Sequence, residues 1–170
     1  RLAAELSSHA GLDPALTVAS YGQTLANDPA ALEAHLVRTE PFDDRAFAVR
    51  GTPTDSVIMG VRHVLKDKRP DLILSGVNRG GNLAEDVTYS GTIAGAFEGT
   101  QIGIRSIALS QSFGKNYNDQ VRWETAIKHG ARTIKKLLSI DWPTGVLMNV
   151  NFPDEAPDDV KGILSTTQGK

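Results

Sequence analysis

Two short stretches concentrate the side chains able to do chemistry: Ser75-Gly76-Val77-Asn78-Arg79-Gly80-Gly81-Asn82 and, a little further on, Tyr89-Ser90-Gly91-Thr92. Amides, hydroxyls and glycines that bare the backbone N–H groups suit two tasks, gripping phosphate oxygens and offering oxygen ligands to a hard metal ion. Asn78 follows the apolar run Asp71-Leu72-Ile73-Leu74. Its side-chain carbonyl could ligate Mg²⁺ or Mn²⁺, ions that prefer octahedral oxygen shells and usually need one or two carboxylates as well. The same Asn could instead close the strand-to-loop turn on its own backbone, and the residues alone leave both roles open. Asn82 carries NH₂ donors suited to a phosphate oxygen. Ser90, Gly91 and Thr92 read as a helix N-cap and first turn, where unpaired N–H groups and the positive helix end attract an anion. Plain capping is the competing reading there, and Gly91 would let backbone approach a ligand closely. Arg79 could touch phosphate or base, or stand solvated.

The elements around these stretches must place them on a common rim. A strand is expected at Ala15–Ala19, a long excursion with turn chemistry over 20–45, and a second strand at Ala46–Val49. A helix carrying Val57, Val61, Val64 and Leu65 on one face should follow, with Thr52 or Thr54 as its N-cap and Pro53 near its first turn. Next come a strand at 71–75, a helix from about 91 to 102 ended by Gly103, and a strand at 106–110. A helix over about 119–139 should bury Trp123, Ile127, Ile134 and Leu138. A strand at 145–151 and the start of another at Ile163–Thr167 complete the pattern. Strands alternating with helices predict βαβ units, and therefore an α/β fold whose mostly parallel sheet is covered on both faces. In such sheets ligands bind outside the carboxyl ends of the strands, so two adjacent βα loops of this composition favour one shared phosphate pocket.

Composition narrows the classes further. Eighteen basic and 20 acidic residues leave a net charge of −2 over 170 residues, so no global field recruits a nucleic acid duplex or an anionic membrane. There is no cysteine, hence no disulfide framework and no thiolate metal site, which suits a reducing cytoplasm. The apolar runs are strand-sized, and no signal-peptide pattern is present. The P-loop, dinucleotide-binding and nucleophile-elbow motifs are all missing. His9, His35, His63 and His129 show no i,i+4 pairing typical of a zinc site.

Gly51-Thr52-Pro53-Thr54-Asp55, the 75–82 run, Tyr89-Ser90-Gly91-Thr92 with Ala94, Ala96 and Glu98-Gly99 behind it, and Asn149-Val150-Asn151-Phe152-Pro153 occur in this order. Together they resemble the SurE family of stationary-phase survival proteins, from about residue 46 onward. The resemblance implies a Rossmann-like α/β core and a metal-dependent phosphatase, with Mg²⁺ or Mn²⁺, acting on nucleoside 5′- or 3′-monophosphates and in some members on short polyphosphate. It implies Asn78 as a metal ligand and Asn82, Ser90, Gly91 and Thr92 as the phosphate-binding set. Thr24 stands where the family has a ligating Ser and could substitute its hydroxyl. The family's first strand, ending in a paired-aspartate turn, is not in this chain. The expectation is therefore a single SurE-like domain, residues 1–170, truncated at both ends, with no catalytic residue assignable within it. A cytoplasmic enzyme that is a homodimer or homotetramer in its full-length form is also implied. The alternative is a non-catalytic nucleotide- or phosphate-binding module, an inactive homologue without the aspartates.

Overall fold

In the computed structural model, which describes residues 17–21, 38–43, 46–114 and 120–169, two three-stranded sheets carry the chain. The first contains β1 (Thr17–Tyr21), β2 (Arg38–Asp43) and β3 (Ala46–Arg50), with β3 in the middle, parallel to β1 and antiparallel to β2. β2 lies within the expected loop excursion. Its Pro41 and turn-forming Asp43 suggest a break, yet β2 is an edge strand, where a missing backbone N–H is tolerated, and its ladder shifts register between Pro41 and Asp43. Capping chemistry starts the next element, α1 (Pro53–Met59). Of the two candidate caps, Thr52 is used: its hydroxyl accepts the Asp55 N–H at 3.1 Å, and Asp55 Oδ2 accepts the Thr52 N–H at 2.7 Å, with Pro53 in the first turn. The helix widens into a π-helical turn at Gly60–Val64 and packs against β1, β3 and the later helix α3.

The second sheet is parallel throughout, in the order β4 (Leu72–Arg79), β5 (Arg105–Gln111), β6 (Met148–Phe152). Between β4 and β5 the chain forms α2 (Asp86–Tyr89) and α3 (Gly91–Gln101), and between β5 and β6 it forms α4 (Trp123–Leu138). β5 shows how both faces are covered. Ile107 and Leu109 join Ile134 and Trp142 in a core that includes α4, while Ala108 joins Ile93 and Ala96 of α3 on the other face. Gly99 lets α3 lie close: a Cβ there would stand 2.3 Å from Ser106 Oγ and 2.6 Å from Ile73 Cδ1. α4 buries Ala126, Gly130, Thr133 and Ile134, a stripe of mostly small residues, and Ile127, expected on that face, is 40% exposed.

The end of β4 and the 163–167 segment differ from the sequence expectation for physical reasons. β4 does not stop at Ser75; it passes a register shift and continues through Asn78 and Arg79. Gly76 makes this possible, with φ +132 and a backbone so near Leu109 O that a Cβ would approach to 2.3 Å. Residues 163–167 form no strand, since a strand is a pairing relation and no ladder reaches this exposed segment among the described residues. No described helix is long and apolar enough to cross a membrane.

Candidate functional site

Parallel strands bring their carboxyl ends to one rim. In register across the second sheet, Asn78 of β4 pairs with Ser110 of β5, which pairs with Asn151 of β6. Above this row opens a cleft of about 530 Å³, lined by the end of β4 and its loop through Asn82, by Asp86 and Tyr89 of α2, by Ser90, Gly91 and Thr92, and by Pro53 of α1. Five of the six expected site residues, Asn78, Asn82, Ser90, Gly91 and Thr92, therefore share one cavity. Thr24 lies outside the described residues. A larger hollow of about 680 Å³ is lined only from within the segment Pro153–Gly162. It gathers nothing from other elements and holds none of the expected residues.

Hydrogen bonds orient the side chains, local ones at Asn78 and Ser90 and a long-range one at Asn82. Asn78 Nδ2 donates to Gly80 O at 3.0 Å, so the residue does close its own turn. The same bond commits the amide nitrogen and leaves Oδ1 as the group that can accept or ligate. The two readings of Asn78 are thus compatible. Asn82 is 4% exposed and donates Nδ2 to Ser110 Oγ at 2.6 Å. An amide has two N–H bonds, so one of the expected phosphate donors is engaged with Ser110.

Ser90 is the N-cap of α3, its Oγ accepting the Ile93 N–H at 3.1 Å, so the capping reading holds as well. Helix geometry then leaves the amides of Gly91 and Thr92 without intrahelical acceptors at the positive end of the helix. Gly91 also lies close to α1: a Cβ there would stand 3.0 Å from Pro53 Cγ, a tight contact that the ring would have to yield to.

Among the described residues lining the cleft, the charged side chains are one cation, Arg79, and one acid, Asp86. The Arg79 guanidinium lies 4.1 Å from the centroid of the Phe113 ring, a cation–π contact at the rim. Asp86 is a cleft residue that sequence reading did not name, and Tyr89 and Pro53 stood there only as members of motifs, with no role given to their side chains. For Pro53 the signal was available, because it belongs to a motif preceding a helix, but its meeting with Gly91 is a tertiary contact.

Among the described residues no three His, Cys, Asp or Glu side chains cluster so as to hold a metal ion. Asn78 Oδ1 and the Asp86 carboxylate are hard oxygen donors on the same cleft, the donor chemistry that Mg²⁺ and Mn²⁺ favour. They supply part of such a shell.

An open α/β sheet with a cleft at the strand termini, lined by amides and a helix N-terminus, has the chemistry and placement that phosphate binding calls for. The chain belongs to the SurE family: the model described as Survival protein SurE matches residues 12–170. A 5'-nucleotidase SurE from Methylobacterium sp. (strain 4-46) is 56% identical over 143 residues, covering 84% of this chain and 54% of that protein. A second, from Parvibaculum lavamentivorans, is 56% identical over 137 residues, covering 81% of this chain and 50% of its own length. The chain thus spans about half the length of the curated relatives it matches. A crystal structure of a SurE protein from Aquifex aeolicus superposes with a TM-score of 0.80 at 35% identity, covering 99% of this chain and 66% of that one.

Proposed function

We propose that the protein hydrolyses nucleoside 5′-monophosphates, and 3′-monophosphates, to nucleoside and phosphate, in the cytoplasm, with a divalent metal ion, Mg²⁺ or Mn²⁺. The observation that carries this reading is the convergence of Asn78, Asn82, Ser90, Gly91 and Thr92 on one cleft beside the strand ends. Relatives of this chain bear the name 5'-nucleotidase. In the proposed roles the Gly91 and Thr92 amides, the two hydroxyls and the second Asn82 N–H bind the phosphoryl oxygens. Fixed donors of this kind stabilise charge spread over a transferring phosphoryl group without reorganising. Asn78 Oδ1 would hold the ion, which when bound neutralises phosphoryl charge. The family resemblance is what supports a homodimer or homotetramer of the full-length protein.

The test is phosphate release from nucleoside 5′- and 3′-monophosphates by the intact protein, titrated with Mg²⁺ or Mn²⁺ and repeated with a chelator. Cation-dependent release is expected. Saturable nucleotide binding with no release at any cation concentration would instead identify a non-catalytic binding module.

A further inference from the structure

Asn149 and Asn151 carry a motif for which the phosphate set has no task, and they stand on a parallel-sheet strand where apolar residues are the rule. We propose that they are positioning residues that hold the Gly80–Asn82 turn in its phosphate-binding shape by clamping Asn82. The proposal rests on the phosphate-site reading for its purpose and on the hydrogen bonds themselves for its existence.

Side chains two apart on a strand leave the same face. Both of these meet the Asn82 peptide groups. The Asn82 N–H donates to Asn151 Oδ1 at 2.7 Å. The Asn82 carbonyl accepts from Asn149 Nδ2 at 2.8 Å and from Asn151 Nδ2 at 3.3 Å. Asn151 Nδ2 also donates to Asn149 Oδ1 at 3.2 Å, which ties the clamp to itself and fixes both amide orientations. With Nδ2 on Ser110, Asn82 is held through backbone donor, backbone acceptor and side chain together.

Such a clamp answers a need created by the turn. Gly80 sits at φ +111 and is followed by Gly81, a pair with large conformational freedom to lose. Asn82 is buried and outside any ladder, so its peptide groups need partners that secondary structure does not supply. An amide both donates and accepts, and it can satisfy both groups from one strand. Fixing Asn82 also fixes the direction of its second N–H, the one left for a ligand.

Amide hydrogen exchange of the intact protein, measured with and without inorganic phosphate, tests this. In Asn151→Ala the Asn82 amide should exchange faster by about tenfold, the effect of losing one buried hydrogen bond, while Leu109 in β5 keeps its protection. Phosphate should bind severalfold more weakly. Asn151→Asp, which keeps the acceptor for the Asn82 N–H but gives up the Nδ2 donor to the Asn82 carbonyl and to Asn149 Oδ1, should restore part of the protection at Asn82, a rescue that general loss of packing would not give. Unchanged Asn82 exchange in Asn151→Ala, or an Asp variant as unprotected as the Ala variant, overturns the clamp. Undiminished phosphate affinity in a deprotected variant overturns its positioning role. If wild-type protein binds no phosphate and Asn82 is still deprotected by the substitution, the clamp stands and the phosphate-site reading falls. Should Asn151→Ala fail to fold, Asn149→Ala, at an exposed residue, removes the bond to the Asn82 carbonyl and the Oδ1 that orients the Asn151 amide; phosphate should again bind severalfold more weakly while Leu109 keeps its protection, and undiminished affinity overturns the positioning role.

Discussion

Thr92 is the second residue of α3, where its amide has no carbonyl within the helix, and the residue lines the cleft. A hydroxyl donated to a charged phosphate is worth about 1.5–3 kcal/mol. Thr92→Ala should therefore raise KM for a nucleoside monophosphate roughly ten- to hundredfold with kcat little changed, and Thr92→Ser should stay near wild type. Steady-state kinetics of the two variants checks this. In the proposed roles Asn78 acts through a different group, so its loss should read out differently. Asn78→Ala removes Oδ1 and releases the bond to Gly80 O, and the cation concentration giving half-maximal activity should rise severalfold. Ser90 and Asn78 both had a humble alternative in the sequence, a cap and a turn closure. Both alternatives are realised, because at a strand end or a helix start the local hydrogen bond is what aims the remaining polar group.

At the scale of elements, α3 depends on how closely it can lie on the sheet. Gly99→Ala would gain about 1 kcal/mol of helix propensity. Its Cβ, however, would meet Ser106 Oγ at 2.3 Å and Ile73 Cδ1 at 2.6 Å, and overpacking a tight core costs about 1–3 kcal/mol. Overpacking wins, and urea denaturation should show net destabilisation. The turn after β6 is tied to α4 by Thr125 Oγ1 donating to Glu155 O at 2.6 Å and by the ion pair of Lys128 with Asp158. The hydrogen bond and charge of Lys128 lower the Asp158 pKa below its ordinary 3.8, with His129 adding to the effect. A depressed carboxyl pKa contributes stability above the unfolded value and loses it as pH falls through the folded one. A small decrease in Tm is expected as pH drops below about 3.8, and Lys128→Ala should flatten it in a thermal melt series. Periodicity and caps made α1, α3, β3 and β5 legible in the sequence. The extension of β4 past Gly76, the edge strand β2 and the unpaired 163–167 segment were not, since each is decided by a partner strand rather than by its own residues.

For the whole molecule, the cleft is where separately built parts meet. Pro53 comes from α1, which packs on β1 and β3, while Asn78, Ser90 and Thr92 come from the second sheet and its helix. The rim was readable because parallel βαβ order forces strand ends to one side. Its internal bracing was not, for Asn82 meets Asn149 and Asn151 across separations of 67 and 69 residues. A ligand that spans this cleft binds only the state in which α1 and α3 are docked. It must then stabilise both sheets together, by RT ln(1 + [L]/Kd), about 2.7 kcal/mol at a hundredfold excess over Kd. Saturating nucleoside monophosphate should raise Tm and slow amide exchange in β3 as well as in β4 and β5. Thr92→Ala should shift this response to higher ligand concentration without altering the unliganded Tm by more than a few degrees. Slowed exchange confined to residues 78–92, with β3 unaffected, would mean that the ligand touches the β4 and α3 ends without engaging α1. Pro53 would then be a neighbour of the site and not part of it.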